Sequence, residues 1–348
     1  MIKLPTMPSA SELKLGSPEL VIGLKAVAET TRLRILMLLA SSELNVKDLT
    51  QILGQSQPRI SRHLKLLVEA GLIERVREGS WVYFFVSDRT QAGRLALRLV
   101  AEVDGADPVV RRDRERADGL RREREAAAQA YFDAHAADWD RIRALYVSEG
   151  DVEAAIRAAL GTGPFRLLLD LGTGTGRILE LLSDRFERGL GLDASHAMLG
   201  LARANLTRLG LNKAQLRHGD LYNLPLADGA ADAIVMHQVL HFLSEPATAI
   251  REAARVLAPG GRLLIVDFAP HDLEFLRDTH AHERLGFSTA QVEQWLTDAG
   301  LQSLPSRDLP PPESASGNML TVSLWQAERP KGAGSLSTTA TRTLEEIR

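Results

Sequence analysis

Apolar residues recur at helical spacing from Pro18 onward: Leu20, Val21, Leu24, Val27 and Ala28 share one side of a helix that Pro18 opens. Thr30 or Thr31 is placed to cap a second helix running through Leu39. A third, short helix is expected over Val46–Leu53, ending at Gly54. A fourth is expected over Gln57–Ala70, capped by Ser56 and stopped by Gly71. The period then changes. Leu72–Arg77 and Ser80–Ser87 are rich in β-formers around Glu78-Gly79, which predicts a hairpin. A fifth helix follows over Asp88–Val103.

Gly105–Pro108 breaks the pattern. The next stretch, RRDRERADGLRREREAAAQAYF, interleaves both charge signs with alanine and predicts a solvated helix acting as a rigid linker; a second DNA contact and disorder are the alternatives. From Phe165 strands alternate with helices. Strands are expected at Phe165–Leu171, Gly189–Asp193, Gln215–His218, Ala233–His237, Arg262–Phe268 and Leu320–Gln326, which implies a parallel, doubly wound sheet. The chain thus divides into a flexible tail at 1–16, a winged helix-turn-helix at 17–104, a charged helical linker at 105–130, an α/β domain at 131–327 and a disordered tail at 328–348.

The chain has 348 residues, enough for two cored domains, and no apolar run long enough to span a membrane. A cytoplasmic location is expected. The sequence contains no cysteine, which excludes disulfides, thiolate metal sites and cysteine nucleophiles. Net charge is −3 overall, but residues 1–104 hold 14 Lys+Arg against 11 Asp+Glu, leaving 28 against 34 for the rest. A basic front on an acidic body fits a DNA reader joined to an enzyme-like domain.

Asp170-Leu-Gly172-Thr173-Gly174-Thr-Gly176 lies where a buried strand turns into a helix. Glycines there allow positive φ and close approach of a ligand, and the helix start offers free N–H groups. The residue three after Gly174 is Arg177, so the dinucleotide pattern GxGxxG is not met. Asp170 at the strand end suits a cationic amino-acid group better than a pyrophosphate. Asp193 ends the next strand, where a carboxylate accepts ribose hydroxyls, and Asp220 and Leu221 follow the third, near an adenine. The plain alternative is that these glycines only make a tight turn.

This set resembles the class I S-adenosylmethionine (SAM)-dependent methyltransferases over roughly Tyr131–Gln326. ARVLAPGG, GGRLLIVDF and ADAIVMHQVLHFL match the small-molecule branch of ubiquinone/menaquinone type. The resemblance implies that Gly172, Gly174 and Gly176 make backbone contacts to the methionine part, with Thr173, Ala194 and Met198 beside them. It implies Asp193 on the ribose, Asp220 on the adenine amine, and Tyr131 and His237 lining the cofactor. No NPPY-like tetrad follows the fourth strand, which argues against methylation of adenine N6 or glutamine amides. Methyl transfer needs alignment more than a covalent group. His241, His271, His280 and His282 are candidate general bases or pocket residues. His280-Ala-His282-Glu283 also invites a metal reading, but i, i+2 spacing on a helix does not share a face, so no metal is expected.

In the fourth helix Ile60, Leu64 and Leu67 face inward, leaving Ser56, Gln57, Arg59, Ser61, Arg62, His63 and Lys65 as base or phosphate contacts. Arg75 and Arg77 beside the hairpin reach flanking phosphates. Packing of a dimer alone is the competing reading. The module resembles the ArsR/SmtB regulators over about Pro18–Val103. ELNVKDL (43–49) matches that family's ELCVCDL with Asn45 and Lys47 in place of its cysteines. The family's thiolate site is therefore absent, as is any histidine in the closing helix. The resemblance implies a homodimer through the first and last helices, reading a palindromic operator in double-stranded DNA.

The expected fold is an α/β doubly wound, Rossmann-like SAM-methyltransferase domain preceded by an α+β winged helix-turn-helix domain. The expected function is an ArsR-type regulator with SAM or S-adenosylhomocysteine as effector, acting on methionine-cycle genes as the fused arrangement implies. The alternative is an active small-molecule methyltransferase whose DNA module is autoregulatory. A NAD-linked enzyme is opposed by the glycine spacing.

Overall fold

The computed structural model describes residues 15–139, 149–311 and 319–332. The chain forms two compact units. The first comprises residues up to Tyr131 together with 242–245 and 270–286; the second comprises the remainder.

In the first unit α1 (Ser17–Val27) and α2 (Thr30–Leu39) precede β1 (Leu44–Asn45), α3 (Val46–Leu53) and α4 (Gln57–Glu69). The wing is β2 (Glu74–Glu78) and β3 (Trp81–Phe85), followed by α5 (Gln91–Ala101). Ile35, Leu49, Ile60, Leu64, Leu67 and Ala96 form the centre of the core. Local chemistry explains most boundaries. Asn45 caps α3 in a reciprocal box with Asp48, and Gly54 closes it at φ 65°.

Several expectations are corrected. Glu29, not a threonine, caps α2 by accepting from the Arg32 N–H. Ser56 stands at the cap of α4 without a side-chain bond. Pro58 has no N–H to offer, and the Arg59 N–H goes to the Ser56 carbonyl. The hairpin turns at Gly79-Ser80, since Glu78 pairs with Trp81. A third strand, β1, pairs with β3.

The charged helix α6 (Pro108–His135) differs from a freely solvated linker. Val110 and Asp113 are buried, and Ala117 and Leu120 pack against the core. Asp113 takes both Nε and Nη2 of Arg34, at 2.6 and 2.8 Å, and the Arg116 guanidinium donates to the Ile52 carbonyl. Further on, Arg124 pairs with the buried Asp48 and, at 2.9 Å, with Glu283. One stripe of a polar helix is thus held by ion pairs.

The second unit contains α7 (Glu149–Leu160), β4 (Phe165–Leu171), α8 (Arg177–Leu181), β5 (Phe186–Asp193), α9 (His196–Arg208), β6 (Ala214–His218) and β7 (Ala231–His237). It continues with α10 (Pro246–Val256), β8 (Leu257–Phe268), α12 (Thr289–Asp298), β9 (Gln302–Leu309) and β10 (Val322–Glu328). The short helix α11 (Phe275–His280) falls in the first unit. Strand order is β6-β5-β4-β7-β8-β10-β9. β4 to β8 are mutually parallel, whereas β10 runs antiparallel to both β8 and β9. The sheet is therefore mixed at one edge, and β9 was not expected. Glu328 ends β10 instead of starting a tail, and the Arg329 guanidinium donates to the carbonyls of Ala254, Arg255 and Leu257. Residues 1–14 and 333–348 of the expected tails lie outside the described residues.

Candidate cofactor site and nucleic-acid interface

The strand order reverses beside β4: the chain winds outward to β5 and β6, then returns to β7 on the other side. Ligands in such sheets bind beyond the carboxyl ends of the strands at this switch. The glycine loop follows β4, Asp193 ends β5, Asp220 follows β6 and His237 ends β7. Four elements thus bring sequence-predicted cofactor residues to one end of one sheet.

The loop has the backbone the sequence called for. Gly172, Gly174 and Gly176 adopt φ of 73°, 52° and 83°. A Cβ on Gly172 would overlap the Val239 side chain, while one on Gly174 would lie 3.7 Å from the Trp139 indole nitrogen. The three N–H groups are engaged inside the fold: Gly172 donates to the Leu192 carbonyl, Gly174 to Asp193 Oδ2 at 2.8 Å and Gly176 to the Thr173 carbonyl. Backbone contacts to a ligand from these glycines therefore fall to carbonyls and bare α-carbons. The buried Thr173 hydroxyl donates to Asp170 Oδ2 at 2.5 Å.

Asp193 accepts the N–H of Gly174 on one oxygen and of Ser195 on the other, each at 2.8 Å. A carboxylate has about four acceptor sites, and the Ala194 N–H also bonds to it, so acceptor capacity remains for a ribose hydroxyl. Burial pushes its pKa up, against the pull of those N–H groups and of nearby His218. Asp220 is exposed and its Oδ1 accepts the Tyr222 N–H, a turn that aims the carboxylate locally. Leu221 is buried, Ala194 exposed and His237 half-buried. Met198 is 2% exposed in the first turn of α9. These residues, with the positive-φ glycine cradle, fit SAM.

Sequence reasoning missed three features. Phe132 and Trp139 stack edge to face at 5.3 Å, with Trp139 over Gly174. Ser195 donates its hydroxyl to Asp133 at 2.8 Å. His196 and His218 stack at 4.3 Å, 10° from coplanar, next to Asp193. The first had a signal in the sequence, aromatic residues within and just after a polar helix.

Of the candidate bases, His241 alone belongs to the methyltransferase-like unit. Its Nδ1 lies 2.7 Å from Asp267 Oδ1, with His241 2% and Asp267 0% exposed. Asp267 also accepts the backbone N–H of His241 and Phe268. His271 and His280 fall in the first unit, as does Tyr131, whose hydroxyl meets His280 Nδ1 at 2.7 Å. α11 ends at His280, so His282 and Glu283 lie beyond it. Among the described residues no group of three potential ligands is placed to hold a metal ion.

In α4 Gln57, Arg59, Ser61, Arg62 and Lys65 are exposed opposite the buried Ile60, Leu64 and Leu67, and Ser56 at its start is exposed too. Arg75 and Arg77 are exposed on β2. His63 is set apart: it sits 3.6 Å from Glu29, and burial holds its pKa below the ordinary value, with Arg32, Arg59 and Arg62 adding to the effect against Glu29. In the free protein burial thus works against the charged form that a phosphate contact would use. Asn45 and Lys47 stand where thiolates were excluded, and Asn45 is committed to capping α3.

Residues 29–75 match the family model described as bacterial regulatory protein, arsR family, and residues 169–265 match a methyltransferase domain. Over 181 residues the chain is 34% identical to the malonyl-[acyl-carrier protein] O-methyltransferase of Methylococcus capsulatus, covering 50% of this chain and 65% of that one. It is 36% identical over 118 residues to the demethylmenaquinone methyltransferase of Thermus thermophilus, covering 33% and 53%. With the arsenite methyltransferase of Aquipseudomonas alcaligenes it shares 38% over 110 residues, covering 29% and 32%.

Proposed function

We propose that this chain, an ArsR-type helix-turn-helix joined to a methyltransferase domain, is a DNA-binding regulator whose operator affinity responds to SAM or S-adenosylhomocysteine. The observation that carries the reading is the exposed polar side of α4 in a chain whose glycine loop and strand-tip acids gather at one end of one sheet. With no cysteine anywhere, thiolate metal sensing is ruled out as the input.

Gly172, Gly174, Gly176, Asp193, Asp220 and Leu221 are the residues that would hold SAM. SAM carries a methyl group on a cationic sulfonium, which S-adenosylhomocysteine lacks. Asp170 is the carboxylate that distinguishes the two by charge. Exposed apolar residues on α1 support a homodimer: Leu20, Val21, Ile22 and Leu24 are 38–54% exposed. Two copies of α4 would then read a palindromic duplex. Methionine-cycle genes are the proposed targets.

A second reading, active transfer to a small molecule, is favoured by the His241–Asp267 pair. Asp267 accepting from Nδ1–H would fix the tautomer whose Nε2 carries the lone pair, the form a general base requires. The relatives' names fix no acceptor for this chain.

Titration of a labelled duplex covering the protein's own upstream region tests the first reading, without ligand and with each ligand saturating. A shift of roughly 5–150-fold by one ligand is expected. Three superimposable curves would sink it and leave the second reading.

A further inference from the structure

The wing of the first unit is not bare. Residues 270–286, inserted in sequence between β8 and α12, lie over one of its faces. Arg284 is fully buried, 4.1 Å over the Tyr83 ring, bonded to Glu78 at 3.2 Å and to Glu43. Arg277 lies 4.1 Å over Trp81, and the Tyr83 hydroxyl donates to the Glu283 carbonyl at 3.3 Å. These contacts anchor a clasp. At its free end Glu274 Oε1 accepts the backbone N–H of Ser80, at the wing tip, at 2.6 Å. Leu285 and Glu274 close over Gly79 so tightly that a Cβ there would meet both.

Wing-tip N–H groups are of the kind that donate to DNA phosphates. Arg75 and Arg77, exposed on β2, flank the same hairpin. We propose that Glu274 is an internal stand-in for a DNA phosphate, capping the wing tip so that the wing engages DNA only when the clasp lets go. Burial works to raise the Glu274 pKa, but hydrogen bonds from Ser80 and the charge of Arg277 overcome it, so the group is a full anion at neutral pH. The carboxylate therefore occupies the donor, with its charge partly offset by the Arg277 guanidinium 3.3 Å away. Both ends of the clasp run on into β8 and α12, so whatever shifts those ends pulls on it. The inference rests on the DNA-binding reading and adds an inhibited state to it.

The test uses the full-length protein and a labelled duplex covering its own upstream region, at several salt concentrations. Glu274→Ala frees Ser80; Glu274→Gln removes the charge and keeps an acceptor. Asp278→Asn removes the same charge from an exposed site on α11. Glu274→Ala should tighten binding at least about fivefold and steepen the salt dependence by about 0.9, one added phosphate contact. Glu274→Gln should tighten it less, and Asp278→Asn less than about twofold. Equal effects of Glu274→Ala and Asp278→Asn would overturn the proposal, since simple charge would explain both. So would weaker binding by Glu274→Ala with faster amide exchange in the wing, because the clasp would then be a support. Arg62→Ala separates the readings. If it abolishes binding while Glu274→Ala changes nothing, only the clasp fails. If no variant binds any duplex at low salt, both fail.

Discussion

A side chain is excluded at Gly172 by both backbone and space, with φ at 73° and Val239 filling the room of a Cβ. Gly172→Ala should lower unfolding free energy by about 1–3 kcal/mol, read by denaturant titration. Val239→Ala in the same chain should recover the steric part and leave the backbone part. Asp193 was legible for a different reason: an acidic residue at a strand tip needs only local pattern to be seen. Asp193→Ala should weaken SAM by about 1.5–3 kcal/mol. Unchanged affinity by calorimetry in a folded variant would remove SAM from that strand tip. Val239 and Trp139 escaped because they reach the loop from 67 and 35 residues away in sequence, with no shared pattern.

Helix ends in the first unit could be read because their causes are neighbours in sequence. The Asn45–Asp48 box and Gly54 bound α3 at the predicted residues. Where the cause is remote, the reading failed. β1 is two residues long and pairs only with β3, while β9, QSLPSRDL, lacks a regular apolar alternation and pairs only with β10. The stripe on α6 was hidden because arginines and aspartates do in ion pairs what apolar residues usually do. Asp113→Ala leaves Arg34 half enclosed with no bidentate partner, at 14% side-chain exposure. A loss of about 3 kcal/mol is expected from thermal or denaturant unfolding. A change below about 0.5 kcal/mol would mean α6 is not held by this pair.

Across the whole molecule, the buried acids make the first unit sensitive to pH. Burial pushes Glu245 up to about 7; neighbouring Glu43 adds to this, while a Ser42 hydrogen bond, Arg284 and Arg121 oppose it. A carboxyl whose folded pKa is raised favours the folded state at low pH. That contribution is complete below about pH 4.5 and is lost as pH rises through about 7. Glu245→Gln should therefore stabilise the protein at pH 8, by at most about 3 kcal/mol, and make no difference at pH 4. Identical melting curves at pH 8 would contradict this. The clasp itself was invisible in the sequence, since Arg284 finds Glu78 across a separation of 206 residues. That separation has a consequence for biosynthesis. A ribosome delivers α4 and the wing well before the cover of the wing, which follows only after β8 has emerged. The helix-turn-helix unit, although it precedes the methyltransferase domain along the chain, is among the last parts to be finished.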